Sequence, residues 1–168
     1  GHLDGKELIP VDEYVAKIRA AAAARRDPDF VIIARTDANT VTGFDDAIHR
    51  ANMALANGAD VAFVEAAKTM EELKAIPEKV NGPCLLNVVT GGKTPDLSMV
   101  DAQGMGYRIA ILPSILTSAI MVACDKALAD FKATDMPPKS ANLPTVGERF
   151  ARFHADYWND LRTKFHGS

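Results

Sequence analysis

Phe30-Val31-Ile32-Ile33-Ala34-Arg35-Thr36-Asp37-Ala38 is a short apolar run that ends abruptly in an arginine and an aspartate. A stretch this brief and β-branched, with helical patterns on both sides, predicts a strand of a parallel sheet buried on both faces. Charge inside such a strand carries a large desolvation cost. Arg35 and Asp37 are therefore expected at its C-terminal end, where α/β folds place their ligands. Arg35 becomes the first candidate for substrate binding.

Outward from this strand the same rhythm repeats. Residues 11–26 predict a helix, with Val11, Tyr14, Val15, Ile18 and the alanines at 20–24 forming an apolar stripe. Asp27-Pro28 stops it. Asp45-Asp46 open a second helix, and Gly58 fits its C-terminal cap. Val61–Val64 is a second strand ending in Glu65, and Thr69 caps a helix over 69–80. Pro83–Val89 and Tyr107–Leu112 are the third and fourth strands, with a helix over about 96–105 between them and a long one from Pro113-Ser114 to about Lys132. Alternating βα units imply a parallel sheet with right-handed crossovers. Both a TIM barrel and an open doubly wound sheet fit this alternation. Four strands cannot close a barrel, so the expectation is a fragment whose partner half lies before Gly1. Met136-Pro137-Pro138 ends the rhythm. Thr145 and Glu148 then form the pattern of a capping box for one last helix over about 146–165. Its aromatic side (Phe150, Phe153, Tyr157, Trp158, Phe165) predicts packing against its own barrel or a neighbouring subunit. Residues 1–133 thus form the βα segment and 134–168 a linker with a terminal helix.

The 168 residues suffice for one core; 48% are apolar and 24% charged, an ordinary globular balance. A formal net charge of −3 supplies no basic field for nucleic acid or an anionic membrane surface. No apolar stretch reaches the roughly 20 residues of a membrane span. Cys84 and Cys124 lie in apolar segments, the pattern of reduced thiols in a cytoplasmic compartment. The four histidines have no metal-ligand spacing among themselves.

Polar residues end every strand: Arg35, Thr36 and Asp37, then Glu65, then Asn87 and Thr90, then Ser114 and Thr117. In a barrel these positions converge on one mouth. Arg35 offers a planar fork for a carboxylate or phosphonate; the alternative is a structural ion pair with Asp37 or Glu65. Glu65 suits an acid that orients Arg35 or holds a metal-bound water, or else a salt bridge at the mouth. Asn87 offers donor and acceptor to a substrate, or satisfies loop backbone. Gly92-Lys93-Thr94 resembles a phosphate loop, but Asn87 stands where that motif requires glycine, so nucleotide binding is not expected.

Four segments carry a resemblance: Gly1-His2-Leu3-Asp4-Gly5-Lys6, Ala34-Arg35-Thr36-Asp37-Ala38, Gly58-Ala59-Asp60-Val61-Ala62-Phe63-Val64-Glu65, and Asn87 through Gly92-Lys93-Thr94-Pro95. In order and spacing they resemble the isocitrate lyase/phosphoenolpyruvate mutase superfamily over nearly the whole chain. The resemblance implies the last four βα units of a TIM-type (β/α)8 barrel, dependence on Mg²⁺ (or Mn²⁺), and a last helix exchanged between subunits of a homotetramer. Arg35 resembles the family's carboxylate-binding arginine, Glu65 its second acidic residue near the metal, and Asn87 a polar substrate contact. Gly1 and His2 resemble the end of a Lys-(Lys/Arg)-Cys-Gly-His loop and would meet the oxo-acid end of the substrate, while Ser114 joins the substrate-binding set. The metal ligands and the catalytic cysteine are expected before Gly1, with Glu65 reaching the ion through water at most. The implied reaction is cleavage of the C2–C3 bond of a 2-hydroxy dicarboxylate or oxo-acid. The Asn87–Pro95 loop favours a 2,3-dimethylmalate type of lyase. Oxaloacetate acetylhydrolase or 2-methylisocitrate lyase, then a phosphonomutase, are the alternatives. A chain complete at 168 residues would instead be a non-catalytic half-barrel.

Overall fold

The computed structural model describes residues 5–92, 94–137 and 143–166. The backbone groups into two compact units, 1–119 and 120–168. In the first, α1 (Val11–Ala24) precedes β1 (Ile33–Thr36), and a short α2 (Ala38–Val41) and α3 (Phe44–Leu55) lead to β2 (Val61–Val64). Then follow α4 (Met70–Lys79), β3 (Leu85–Asn87), α5 (Met99–Met105) and β4 (Ile109–Ile111). The alternation matches expectation; α2 is an addition to it.

All pairing is parallel. β1 lies beside β2 with Ile33 opposite Val61 and Thr36 opposite Val64. β3 lies beside β4 with Leu85 opposite Ile109. A bridge between Ala62 and Cys84, with the Ala62 N–H on the Pro83 carbonyl at 2.9 Å, joins the two pairs in the order β1-β2-β3-β4. The period of two then sorts the side chains. Ala62, Val64 and Leu86 pack with Ala47, Ala51, Leu73 and Ile76 into the main core beneath α3 and α4. Val61, Phe63 and Leu85 gather on the opposite face with Ile109.

β2 is therefore the strand buried on both faces. β1 is not, contrary to the expectation from its composition. It alternates exposed and buried, and Phe30, Val31 and Ile33 are 64%, 53% and 44% exposed. Only β2 flanks β1 among the described residues, so the face shared by Ile33 and Arg35 is covered from one side.

Local signals explain the joints. Thr69 Oγ1 accepts the Glu72 N–H at 3.1 Å at the start of α4, the predicted cap. After α3 the Gly58 N–H reaches the Leu55 carbonyl and the Ala59 N–H the Ala54 carbonyl, with Gly58 at φ +109°. This is the Schellman arrangement, and a Cβ at Gly58 would lie 2.6 Å from that of Ala22 on α1. Pro77 stands inside α4 and cannot supply the N–H that the Leu73 carbonyl would normally receive. The buried Tyr107 hydroxyl donates to that carbonyl instead, at 2.9 Å.

Helix α6 (Ile115–Thr134) crosses from one unit's residues into the other's and has no buried residue. In the second unit the capping box of Thr145 and Glu148 is present. The expected single helix is instead two, α7 (Val146–Arg152) and α8 (Ala155–Phe165). The break comes at His154, which is left-handed at φ 56° and so cannot continue the helical ladder. Phe150, Phe153, Tyr157, Trp158 and Phe165 are each more than half exposed in this chain.

Candidate functional site

Arg35 is in register with Phe63 across the β1–β2 pair, and Glu65 and Asn87 follow on the same side of the sheet. The strand ends thus bring three of the predicted residues together. Arg35 Nη2 lies 3.2 Å from Glu65 Oε2, and Asn87 Nδ2 donates to the same oxygen at 3.3 Å. The other Glu65 oxygen accepts the Ala66 N–H at 3.0 Å. Glu65 is 4% exposed, so these three donors replace the water that a buried carboxylate has lost. Asn87 Oδ1 is buried without a hydrogen-bond partner among the described residues, an acceptor left over at the centre of the group.

Arg35 is also gripped from its own strand. Its Nε and Nη2 donate to the two Asp37 oxygens at 2.9 and 3.0 Å. Lys6 Nζ bonds to Asp37 Oδ1 as well. Burial pushes the Asp37 carboxyl up, but hydrogen bonds and charge from Arg35 and Lys6 outweigh it and hold it below its ordinary range. The hydrogen bond to Asp37 raises Arg35 in turn, against the opposing effect of burial. The guanidinium carbon sits 5.2 Å from the Phe63 ring centroid, within cation–π range. Two cations and two carboxylates balance here. The structural ion pair named as the alternative for Arg35 is therefore present, while Arg35 Nη1 makes no hydrogen bond among the described residues. Arg35 also lines a cavity of about 480 Å³, with Lys6, Tyr14, Thr36, Asp37 and Arg50.

Two features escaped sequence reasoning. Asp37 is expected at the strand end and as a possible partner of Arg35, but not as the hub joining Lys6 to Arg35 that it forms. Asn39, on α2, is 1% exposed and donates to the Ala66 carbonyl at 2.9 Å and to Glu72 Oε2 at 3.0 Å. No periodicity or motif marks Asn39; it becomes visible only once β1 and β2 are paired. Ser114 follows β4, and none of the hydrogen bonds among the described residues links its hydroxyl to Arg35, Glu65 or Asn87. Gly1 and His2 lie outside the described residues.

The donor set does not fit Mg²⁺ or Mn²⁺ by itself. Among the described residues no three His, Cys, Asp or Glu side chains gather as ligands. Glu65, the buried carboxylate of the group, already uses both oxygens on Ala66, Asn87 and Arg35. No helix among the described residues is long and apolar enough to cross a membrane.

A parallel βα alternation with an arginine, a buried glutamate and an asparagine at successive strand ends defines an α/β protein with a polar site at the carboxyl edge of its sheet. Residues 2–132 match the family of phosphoenolpyruvate phosphomutase, and the chain belongs to the phosphoenolpyruvate mutase/isocitrate lyase superfamily. It is 43% identical to 2,3-dimethylmalate lyase of Eubacterium barkeri over 130 residues, 77% of this chain and 44% of that protein. It is 40% identical to 2-methylisocitrate lyase of Aeropyrum pernix over 130 residues, 77% of this chain and 42% of that one. The crystal structure of oxaloacetate acetylhydrolase with the inhibitor 3,3-difluorooxalacetate superimposes with a TM-score of 0.90 at 30% identity, covering 99% of this chain and 57% of that one. The chain spans about half the length of the curated relatives it matches.

Proposed function

We propose that this chain is the substrate-gripping half of a carbon–carbon lyase acting on a 2-hydroxy dicarboxylate of the 2,3-dimethylmalate type. On this reading residues 1–133 are the last four βα units of a TIM-type barrel. Residues 134–168 are a linker and a terminal helical segment, α7 and α8, exchanged within a homotetramer, where their aromatic side chains find cover. A dicarboxylate or oxo-acid is the partner, with neither nucleic acid nor membrane. Two free cysteines suit a cytoplasmic setting.

The observation that carries the reading is the Arg35–Glu65–Asn87 group on one sheet face, in a chain whose relatives include 2,3-dimethylmalate lyase and 2-methylisocitrate lyase. Arg35 presents its unengaged Nη1 edge to the substrate carboxylate and offsets its charge through the reaction. Glu65 and Asp37 hold the guanidinium plane. Asn87 turns its amide on a substrate oxygen, with Ser114, His2 and Gly1 completing the oxo-acid end. The chemistry is a retro-aldol cleavage: a base takes the 2-hydroxyl proton, the oxygen's electrons form the carbonyl of an oxo-acid such as pyruvate, and the C2–C3 pair leaves on C3. Protonation of that carbanion releases the second carboxylic acid. Divalent-ion ligands and the proton donor come, on this reading, from outside residues 1–168. A divalent ion there would stabilise the negative charge of the oxo-acid product.

Full-length protein with Mg²⁺ is incubated separately with 2,3-dimethylmalate, oxaloacetate and 2-methylisocitrate, and the products are identified. Cleavage of 2,3-dimethylmalate to pyruvate and a carboxylic acid is expected. Oxalate and acetate from oxaloacetate would move the assignment to an acetylhydrolase. Failure to cleave any of the three overturns the lyase reading.

A further inference from the structure

Ala66 is left-handed at φ 59° and 7% exposed. An alanine holds that conformation only where its surroundings impose it, and such outliers gather at functional sites. Here the surroundings can be named. Asn39 Nδ2 donates to the Ala66 carbonyl at 2.9 Å and to Glu72 Oε2 at 3.0 Å. Glu72 Oε2 also accepts the Lys68 N–H at 2.6 Å, and Lys68 Nζ reaches the Asn39 carbonyl at 3.1 Å. The segment after β2 is thus fastened to α2 from both directions. On the other side of the same residue, the Ala66 N–H binds the Glu65 carboxylate at 3.0 Å.

These contacts form a chain from α2 to Glu65. β2 and α4 fix the backbone before and after the turn. If Ala66 relaxed to negative φ, its neighbours would have to absorb the change, the ψ of Glu65 first. The N–H that holds one Glu65 oxygen would then swing away, and the oxygen facing Arg35 and Asn87 would shift with it. Asn39 itself touches none of Arg35, Glu65 or Asn87 among the described hydrogen bonds. We propose that Asn39 is a positioning residue: by bracing Ala66 in its left-handed conformation it aims the Glu65 carboxylate at Arg35 and Asn87. The inference rests on the lyase reading for its catalytic consequence and on the structure alone for the brace.

The test is a cycle of Asn39→Ala and Ala66→Gly in the full-length protein, because glycine adopts positive φ without a brace. kcat/KM is measured on the substrate the wild type cleaves, at a temperature where circular dichroism shows each variant folded. N39A is expected to lower kcat/KM at least tenfold with Ala66 present, and less than threefold in the Ala66→Gly background. Hydrogen exchange supplies the arm that needs no turnover. The Ala66 amide should exchange at least tenfold faster in N39A, with that of Leu73 unchanged. Were N39A not to fold, Asn39→Ser, too short to reach both acceptors, enters the same cycle. Unchanged kcat/KM in the folded variant, equal losses in both backgrounds, or unaltered exchange at Ala66 would each overturn the proposal. Absence of turnover in the wild type would defeat the lyase reading and leave the exchange arm to decide the brace.

Discussion

The partnership of Pro77 and Tyr107 permits a quantitative test of how α4 is held to the start of β4. Pro77 removes the donor that Leu73 O would receive within the helix, and the Tyr107 hydroxyl restores it at 2.9 Å. Leu73 is fully buried and Tyr107 is 5% exposed, so water cannot replace the lost bond. Tyr107→Phe should therefore cost the penalty of an orphaned buried acceptor, about 1–3 kcal/mol. In a Pro77→Ala background residue 77 regains an N–H, which can bond Leu73 O along the helix. The same Tyr107→Phe change should then cost under about 1 kcal/mol, a coupling of about 1–2 kcal/mol. Urea unfolding reads the difference: with a slope of about 2 kcal/mol/M, the midpoint should fall by about 1 M in the first background and by half that or less in the second. Equal shifts in both would refute the substitution of hydroxyl for amide. The alkaline limb gives a second reading. Burial, with the nearby Cys84, raises the Tyr107 pKa. The folded state therefore holds that proton longer, and stability present below the ordinary value of 10.0 is lost as pH rises towards the raised one. Tyr107→Phe should remove that contribution.

Asp37→Asn should loosen Arg35 and abolish part of the acid dependence of stability. The native Asp37 pKa lies below 3.8, so its contribution to stability is present above that pH and lost on acidification through the depressed value; pH-dependent melting checks this, and a wild-type acid limb in the variant would refute it. Gly58→Ala combines positive φ with a Cβ 2.6 Å from that of Ala22 and should cost about 2–4 kcal/mol by urea unfolding; Ala22→Gly should recover only the steric part. Burial pushes the Cys84 thiol up to about 11, so the folded protein should resist iodoacetamide at pH 8 at this position, with mass spectrometry finding label there only after denaturation. On the lyase reading, Arg35→Lys keeps the charge but not the fork that Asp37 and Glu65 hold, and should lower kcat/KM of the full-length protein at least a hundredfold.

Signals confined to a few neighbouring residues were readable from sequence. Val61–Val64, Thr69 and the Thr145–Glu148 capping box depend on composition and short spacing, and each stands where expected. Features that depend on what lies beside an element were not. The run leading into β1, Phe30–Ile33, is wholly apolar like β2, but β2 has neighbours on both sides and β1 has one among the described residues. The break at His154 has neither glycine nor proline to announce it, and the aromatic pattern continues across it. Asn39 resembles any polar helix residue until the β2–α4 turn is folded onto it.

On the lyase reading, Arg35 is a site residue and a structural ion pair at once. A guanidinium free to rotate would lose side-chain entropy on gripping a carboxylate, and it would meet solvent on every edge. Here Asp37 takes two of its donors, Glu65 shares one, and the Phe63 ring lies within cation–π range, so the orientation cost is met during folding. The same contacts reduce the net charge that would otherwise draw any anion. What stays available is directional: the N–H groups of Nη1, with Asn87 Oδ1 the acceptor left without a partner among the described residues. Such an edge favours a ligand that brings a carboxylate to Arg35 and a hydroxyl or other donor to Asn87 at the same time. A 2-hydroxy acid carries both on adjacent carbons; a simple monocarboxylate carries one. On the lyase reading, removing the 2-hydroxyl should therefore weaken binding of a competitive inhibitor at least tenfold in the wild type. In Asn87→Leu the same deletion should cost less than threefold, and an undiminished cost there would sever the link between Asn87 and the hydroxyl.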